Sequence, residues 1–344
     1  MGDVAMTVPV LRALSHQYPT VKITVVSRPF FKPFFEGLLQ VNFFAVDIQK
    51  RHKGFFGLLR LYRDLQSEHI DAVADLHNVL RSKILRFLFF IIGKKVAFTN
   101  KGRKEKKALT RAEDKVFKPL KSMVERHVDT FQQLGFNVDL SHPIFPQKAS
   151  LSENIFSITA ALSASQNEKW VGIAPFAQYD SKVYPLDLMQ EVIDRLARES
   201  YLKIFLFGGG KKEIEQLQQL QNNLSQVVVV AGKLNFQDEL KLISNLEVML
   251  SMDSGNAHIA AMLGVKVITL WGATHPYAGF VPFHQPFENC LTADRNQYPK
   301  LPTSVYGNKR VNGYEDAMRT ITPEQVVNKV LDLLTNISET LDNG

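Results

Sequence analysis

The sequence predicts an α/β protein built from two doubly wound parallel sheets. Three observations carry that expectation. Short apolar, β-branched runs alternate with longer amphipathic segments along the chain. The runs are continuously apolar rather than alternating, as strands covered on both faces are. The length, 344 residues, makes about two domains at roughly 150 residues each.

Taken in order, strands are expected at Lys22–Ser27, Ala72–Asp75 and Val96–Phe98 in the first half. In the second half they are expected at Val171–Pro175, Lys203–Phe207, Val227–Val230, Val248–Ser251 and Val265–Leu270. Helical patterns fall between them, among others at Leu186–Glu199, Lys211–Asn222, Asn235–Ser244 and Ala257–Leu263. The first series ends near Gly135 and the second starts at Trp170. His142–Glu168 contains Pro143 and Pro146 with little periodicity and reads as a linker, which puts the domains at 1–150 and 151–344. The N-terminus is unusual: Met1-Gly2-Asp3 followed by Thr7–Leu14 reads as a loop entering a helix. A doubly wound domain normally has a strand before its first such loop. None precedes Met1, so either the sequence starts too late or the first domain lacks its first strand.

Composition narrows the function classes. Apolar residues make up 45% of the chain and charged residues 22%, which excludes wholesale disorder, collagen and a multi-span membrane protein. One cysteine, Cys290, excludes an internal disulfide and a cysteine-based zinc site. No secretory signal opens the chain, and a cytoplasmic protein is expected. The greasiest stretch, Ile84 to Ile92, is too short to span a bilayer and contains Arg86, so contact with a membrane surface is open and a crossing is not. The net charge of +7 is unevenly spread. Residues 1–150 hold 25 basic and 13 acidic side chains, a balance of +12, and residues 151–344 hold 16 and 21, a balance of −5. The first half is therefore expected to face something anionic. Nucleic acid is disfavoured, since only Phe98 and Phe117 could stack near the basic region and no nucleic-acid motif is present.

Ligands of open α/β sheets sit outside the carboxyl ends of the strands, so the residues after each strand are the candidates. Val248–Ser251 runs through Met252 into Asp253-Ser254-Gly255-Asn256 and then a helix carrying His258. Free N–H groups at a helix start, with a glycine allowing close approach, suit a phosphate. Asp253 would repel one and suits a hydroxyl; the alternative is that Asp253 or Ser254 only caps the helix. Gly208-Gly209-Gly210-Lys211-Lys212-Glu213 is a second such turn, but neither a P-loop nor a dinucleotide fingerprint. Lys182, after one strand and before a helix starting near Pro185, is placed to neutralise a diphosphate; the alternative is a solvated loop lysine. Asp75–Ser82 and the basic run Lys101–Lys107 follow strands of the first half. No metal-ligand spacing is found.

Met1-Gly2-Asp3-Val4 with Thr7-Val8-Pro9, Lys182, and Met252–His258 followed by Trp271-Gly272-Ala273-Thr274-His275-Pro276 together resemble the bacterial lipopolysaccharide heptosyltransferases, glycosyltransferase family 9. The likeness runs in order over essentially the whole chain. It implies a GT-B fold, two Rossmann-like domains facing across a cleft. It also implies an inverting transfer without metal or cofactor, from an ADP-heptose donor on the second domain to an anionic lipid-linked saccharide on the first, at the cytoplasmic face of the inner membrane with peripheral contact.

Carried over by position, Asp3 matches the family's general base and Lys182 the lysine that stabilises the departing diphosphate. Asp253 matches a residue holding the heptose, with Ser254, Gly255 and Asn256 as phosphate-binding backbone and His258 in the same block. Leu234 matches an apolar adenine contact. Lys211 and Lys212 stand where the family often has an acidic ribose-binding residue, and Glu213 is the nearest acid for that role. On the acceptor side Arg81 matches a basic residue, with Lys104, Lys106 and Lys107 as the basic run. Two rival readings stay open: a GT-B transferase using another nucleotide sugar, and a nucleotide- or glycan-binding relative that has lost catalysis.

Overall fold

The computed structural model describes residues 1–159 and 168–342. Its chain divides into two compact units. The first comprises Met1, 3–103 and 121–144; the second comprises Gly2, 104–120 and everything from Phe145 onward.

The elements up to residue 144 are α1 (Gly2–Ala5), α2 (Val8–Gln17), β1 (Ile23–Ser27), β2 (Val41–Ala45), α3 (Gly54–Gln66), β3 (Ala72–Asp75), α4 (Leu80–Ile91), β4 (Lys95–Phe98), α5 (Arg103–Thr110) and α6 (Met123–Gln132). Pro9 near the start of α2 suits a first turn whose N–H groups have no partner. Every residue from Val8 to Ser15 is buried, so α2 is a core helix rather than an amphipathic surface one. A reciprocal Ser122–Glu125 capping box starts α6.

The strands of the first unit differ from a single doubly wound sheet. β1 pairs in parallel with β2, Ile23 opposite Val41, and β3 pairs in parallel with β4, Ala72 opposite Lys95. No strand among the described residues joins the two pairs. β1 and most of β3 are only partly buried in consequence. One packed cluster of this unit is Val46, just after β2, with Leu58, Leu61 and Leu65 of α3 and Phe89 of α4; the buried face of α2 adds to its core.

The second unit holds α7 (Glu153–Thr159), β5 (Lys169–Ala174), α8 (Leu186–Leu196), β6 (Leu202–Leu206), α9 (Lys211–Gln221), β7 (Val227–Val229), α10 (Phe236–Ser244), β8 (Val248–Met252), α11 (Gly255–Met262), β9 (Lys266–Trp271), β10 (Cys290–Thr292) and α12 (Pro323–Asp342). Its six strands are parallel in the order β10-β9-β8-β5-β6-β7. From β5 the chain builds outward through β6 to β7, then returns to β8 on the other side of β5 and builds out the opposite way. The reversal falls between β5 and β8, where ligands of such sheets bind. Val171, Ile173, Leu250, Met252, Ile268 and Leu270 are fully buried on these central strands, which is why their sequences read as unbroken apolar runs.

The expected α/β class with parallel sheets is what the chain adopts. All eight strands read from the sequence are present within three residues of their expected ends; β2 and β10 are additional. Of the segment read as a linker, residues 160–167 lie outside the described residues, and the part before them carries α7, with Ser152 bonded to Asp238 of α10. No helix of the described residues is long and apolar enough to cross a membrane.

Candidate active site

In the second unit the expected donor-side residues share the carboxyl edge of one sheet. Lys182 ends a short 3₁₀ turn after β5, Glu213 lies in the first turn of α9 after β6, Leu234 follows β7, and Asp253–Asn256 follow β8.

The centre is a pair across the switch point. Lys182 Nζ donates to Asp253 O at 2.6 Å and lies 3.3 Å from Asp253 Oδ2. Both side chains are about nine-tenths withdrawn from solvent, 12% and 9% exposed, so Lys182 is not a solvated loop lysine. Its neighbours fix it from behind. Ser181 Oγ donates to Gly307 O at 2.6 Å, and Ser181 O accepts from Ala273 N at 3.2 Å. Gly307 has φ +82°, and a Cβ there would lie 2.6 Å from Lys182 Cγ, so the lysine stem lies directly on glycine backbone. Gly272 is required for a similar reason, since its Cβ would meet Ser181 O at 2.8 Å and Met318 Sδ at 2.7 Å. Ser304 Oγ accepts from Gly307 N at 2.9 Å and holds this loop.

Ser254 occupies the N-cap of α11 in an extended conformation, but its side chain makes no cap bond; its Oγ lies 3.1 Å from Ser251 Oγ. Asp253 is engaged with Lys182. Neither side chain therefore caps α11, and the first-turn N–H groups of Gly255, Asn256 and Ala257 have no intrahelical partner. That is an anion site in the making. His258 is buried on the same helix. Glu213 Oε2 accepts from Gly209 N at 2.8 Å, so one carboxylate oxygen closes the triple-glycine turn and the other remains for a ligand. Leu234 is 8% exposed and precedes Asn235, whose side chain caps α10.

His275, also on this edge, accepts from Tyr277 N through Nδ1. Burial first, then Arg295 and Lys115, push its pKa down to about 4. Lys115 donates to Pro302 O at 2.8 Å and Arg295 Nε to Leu301 O at 3.0 Å, and the Arg295 guanidinium stacks 3.4 Å from the Phe117 ring centre. Burial first, then Arg295, lower the Lys115 pKa to about 8.

In the first unit Asp3 is exposed in the first turn of α1. The N-cap of α2 is Thr7, whose Oγ1 bonds Val4 O at 2.7 Å, so Asp3 does not cap that helix. Asp3 and Asp75 both act on His77 and Lys101, drawing their pKa values up, while burial, the larger effect on each, draws them down. These four groups form a charge cluster at the carboxyl ends of β3 and β4. Asp75 is fixed by Asn78 N at 2.6 Å and by Arg86 Nη1 at 3.0 Å, and the Arg86 guanidinium lies over the Phe98 ring.

The acceptor-side residues named from the sequence fall in both units, Arg81 in the first and Lys104, Lys106 and Lys107 in the second. Arg81 is exposed in the first turn of α4, and Lys104 and Lys107 are exposed on α5. Lys106 is buried, its ammonium 3.9 Å from the Phe280 ring centre within the second unit, because α5 turns its Lys106–Leu109 face inward. Sequence reasoning held His77 and Lys101 only as members of the candidate segments Asp75–Ser82 and Lys101–Lys107, without singling them out, and met Arg86 only as a charge within an apolar stretch. The signal was there, since each lies in or beside a segment that follows a strand. Among the described residues no group of three or more His, Cys, Asp or Glu is arranged to hold a metal ion.

Comparison with known proteins shows which chains this one is similar to. The profile of glycosyltransferase family 9 (heptosyltransferase) matches residues 58–310, more than half of the chain. Lipooligosaccharide heptosyltransferase 2 of Haemophilus influenzae is 27% identical over 97% of this chain and 96% of its own length. The crystal structure of the glycosyl transferase family 9 protein from Veillonella parvula superposes with a TM-score of 0.74 at 19% identity, covering 97% of this chain and 94% of that one. Escherichia coli ADP-heptose LPS heptosyltransferase II superposes with a TM-score of 0.66 at 20% identity, covering 98% and 96%. The structural likenesses show the fold.

Proposed function

The chain belongs to glycosyltransferase family 9, the heptosyltransferases, and on that premise we propose that it moves a heptose from ADP-heptose to an anionic saccharide of the lipopolysaccharide core, with inversion and without a metal. The observation that carries this reading is the Lys182–Asp253 pair beside the uncapped start of α11.

In this reading the diphosphate of the donor lies on the N–H groups of Gly255 and Asn256, where the helix end favours negative charge. Lys182 meets the phosphate that leaves. Asp253, already holding Lys182, accepts a hydrogen bond from a heptose hydroxyl. Leu234 packs on adenine, and the free oxygen of Glu213 takes a ribose hydroxyl. The acceptor hydroxyl attacks the anomeric carbon from the face opposite the diphosphate. The bond to the phosphate oxygen breaks with its electron pair, and charge grows on that oxygen as the anomeric carbon becomes oxocarbenium-like. A cation fixed there strengthens its interaction in the transition state, which is what raises a rate. The proton of the attacking hydroxyl passes to the Asp3 carboxylate. His77 and Lys101, beside Asp3, supply positive charge for the acid groups of the acceptor, and the basic balance of residues 1–150 draws that acceptor in. The first unit then serves the acceptor, and the second the donor.

Calorimetry with ADP, UDP and GDP, followed by turnover with ADP-heptose, tests the proposal. Selective binding of ADP and heptose transfer are expected. Preference for UDP or GDP would assign another nucleotide sugar; ADP binding without turnover on any core acceptor would assign a binding protein.

A further inference from the structure

The outer face of α4 is not that of an ordinary surface helix. Its inner side is committed to the core, with Phe89 2% exposed and Ile84 and Leu85 packed beside it. Outward it presents Leu80 at 75%, Phe87 at 58%, Phe90 at 61% and Ile91 at 62% exposure. Leu80, Phe87 and Ile91 recur at i, i+7 and i+11, one stripe of a 3.6-residue helix, with exposed Lys83 on the same stripe. α3 packs on α4 and opens with Phe55 and Phe56, 61% and 82% exposed. Single exposed apolar residues need no explanation, but six large ones on two adjoining helices do.

The charge on α4 itself has one sign. Residues 76–104 contain eight Lys and Arg and no Asp or Glu. A second copy of the chain would be a poor occupant, because a two-fold contact through this face would set its cations against their own images. An anionic bilayer surface satisfies both features together. Apolar tips enter the boundary between headgroups and acyl chains, and Lys and Arg meet lipid phosphates. The helix lies in that plane and does not cross it: 12 residues reach roughly 18 Å, against about 30 Å of hydrocarbon.

We propose that the α4 face, with the first turn of α3, is a docking surface for an anionic phospholipid bilayer. α4 begins just after Asp75–Asn78, which contributes Asp75 and His77 to the charge cluster around Asp3. Docking α4 therefore brings that cluster to the headgroup layer, where a lipid-anchored saccharide is presented. The lipid contact itself does not depend on the transfer reaction proposed above.

The test is co-sedimentation of the full chain with vesicles of phosphatidylcholine alone and of phosphatidylcholine mixed with phosphatidylglycerol. The wild type is expected to bind the mixed vesicles at least about tenfold more tightly, with the preference shrinking at high salt. Phe87→Ser/Phe90→Ser/Ile91→Ser should lose about tenfold or more on mixed vesicles at both low and high salt, and Lys83→Gln/Lys95→Gln should lose binding at low salt only. Thermal melts followed by circular dichroism, unchanged in both variants, show that they remain folded, and calorimetric ADP affinity is expected to be unchanged as well. Failure of the wild type to bind vesicles, or wild-type binding by the triple variant, overturns the proposal. So does a wild-type dimer in sedimentation velocity that the triple variant breaks without any effect on vesicles. Absence of vesicle binding by the wild type with its ADP affinity intact sinks the surface alone, and absence of ADP affinity in the wild type sinks the transferase reading alone.

Discussion

Lys182 Nζ grips Asp253 twice, at the backbone oxygen 2.6 Å away and at the carboxylate 3.3 Å away. The cation is thus held in place before any donor arrives, which is what electrostatic preorganisation requires. It also means that the two residues cannot be changed independently.

Lys182→Met keeps the stem that lies on Gly307 and removes the charge. Turnover is expected to fall about a hundredfold, roughly 3 kcal/mol, with a smaller loss of ADP affinity. The variant also strands a carboxylate that is 9% exposed, and breaking such a pair typically costs about 3–5 kcal/mol. Adding Asp253→Asn should recover much of the lost Tm without recovering turnover. Steady-state kinetics and thermal melts of the single and double variants check this; a rise in KM alone would make Lys182 a ground-state binding group.

Gly307 is where backbone geometry and the lysine meet. Gly307→Ala puts a Cβ 2.6 Å from Lys182 Cγ at φ +82° and should cost about 1–2 kcal/mol for the left-handed backbone and also lower turnover by displacing Lys182. Ser181→Ala loses one hydrogen bond to Gly307 O, worth about 1 kcal/mol. Its turnover should fall less than that of Gly307→Ala. Equal losses in turnover would show that the loop, rather than contact with the lysine stem, is what matters.

The second unit was legible in the sequence because its strands are buried on both faces. Such strands carry unbroken apolar runs, and the strand ends then mark the ligand edge. β2 escaped because Asn42 interrupts Val41–Ala45, and β10 because three residues at a sheet edge carry too little pattern. Contacts made by loops distant in sequence were not legible. Lys182 and Asp253 are 71 residues apart, and nothing local announces Gly307 beneath the lysine. Lys106 shows the converse: its basic run reads as an acceptor-binding face, yet a one-sided amphipathic helix turned this lysine onto Phe280.

His275 predicts an acid limb of stability. Folded, its pKa is lowered from 6.5 to about 4, by burial first. The unfolded chain therefore binds a proton between those values that the folded chain does not. Stability is full above pH 6.5 and falls as the pH drops toward 4, by roughly 3 kcal/mol at most. His275→Asn, which can still accept from Tyr277 N, should flatten this limb. Urea unfolding between pH 4 and 7 measures it, and an equal slope in wild type and variant would remove His275 as the cause.

Asp3 carries the sharpest prediction. Its alternative role, capping α2, is taken by the backbone position of Thr7, so stability does not explain a carboxylate at an exposed site. Asp3→Asn keeps the shape and loses the proton acceptor. Turnover should fall by about 10²–10⁴, the usual weight of a positioned base, with ADP affinity and Tm unchanged. A second readout comes from its neighbours. Asp3 draws the His77 pKa up against the larger effect of burial, so the asparagine variant should titrate His77 at lower pH, as followed by imidazole NMR shifts. The two results separate placement from chemistry. An unmoved His77 titration would mean that Asp3 does not face that cluster. A shifted titration with near-wild-type turnover would mean that it faces the cluster and does not act as the base.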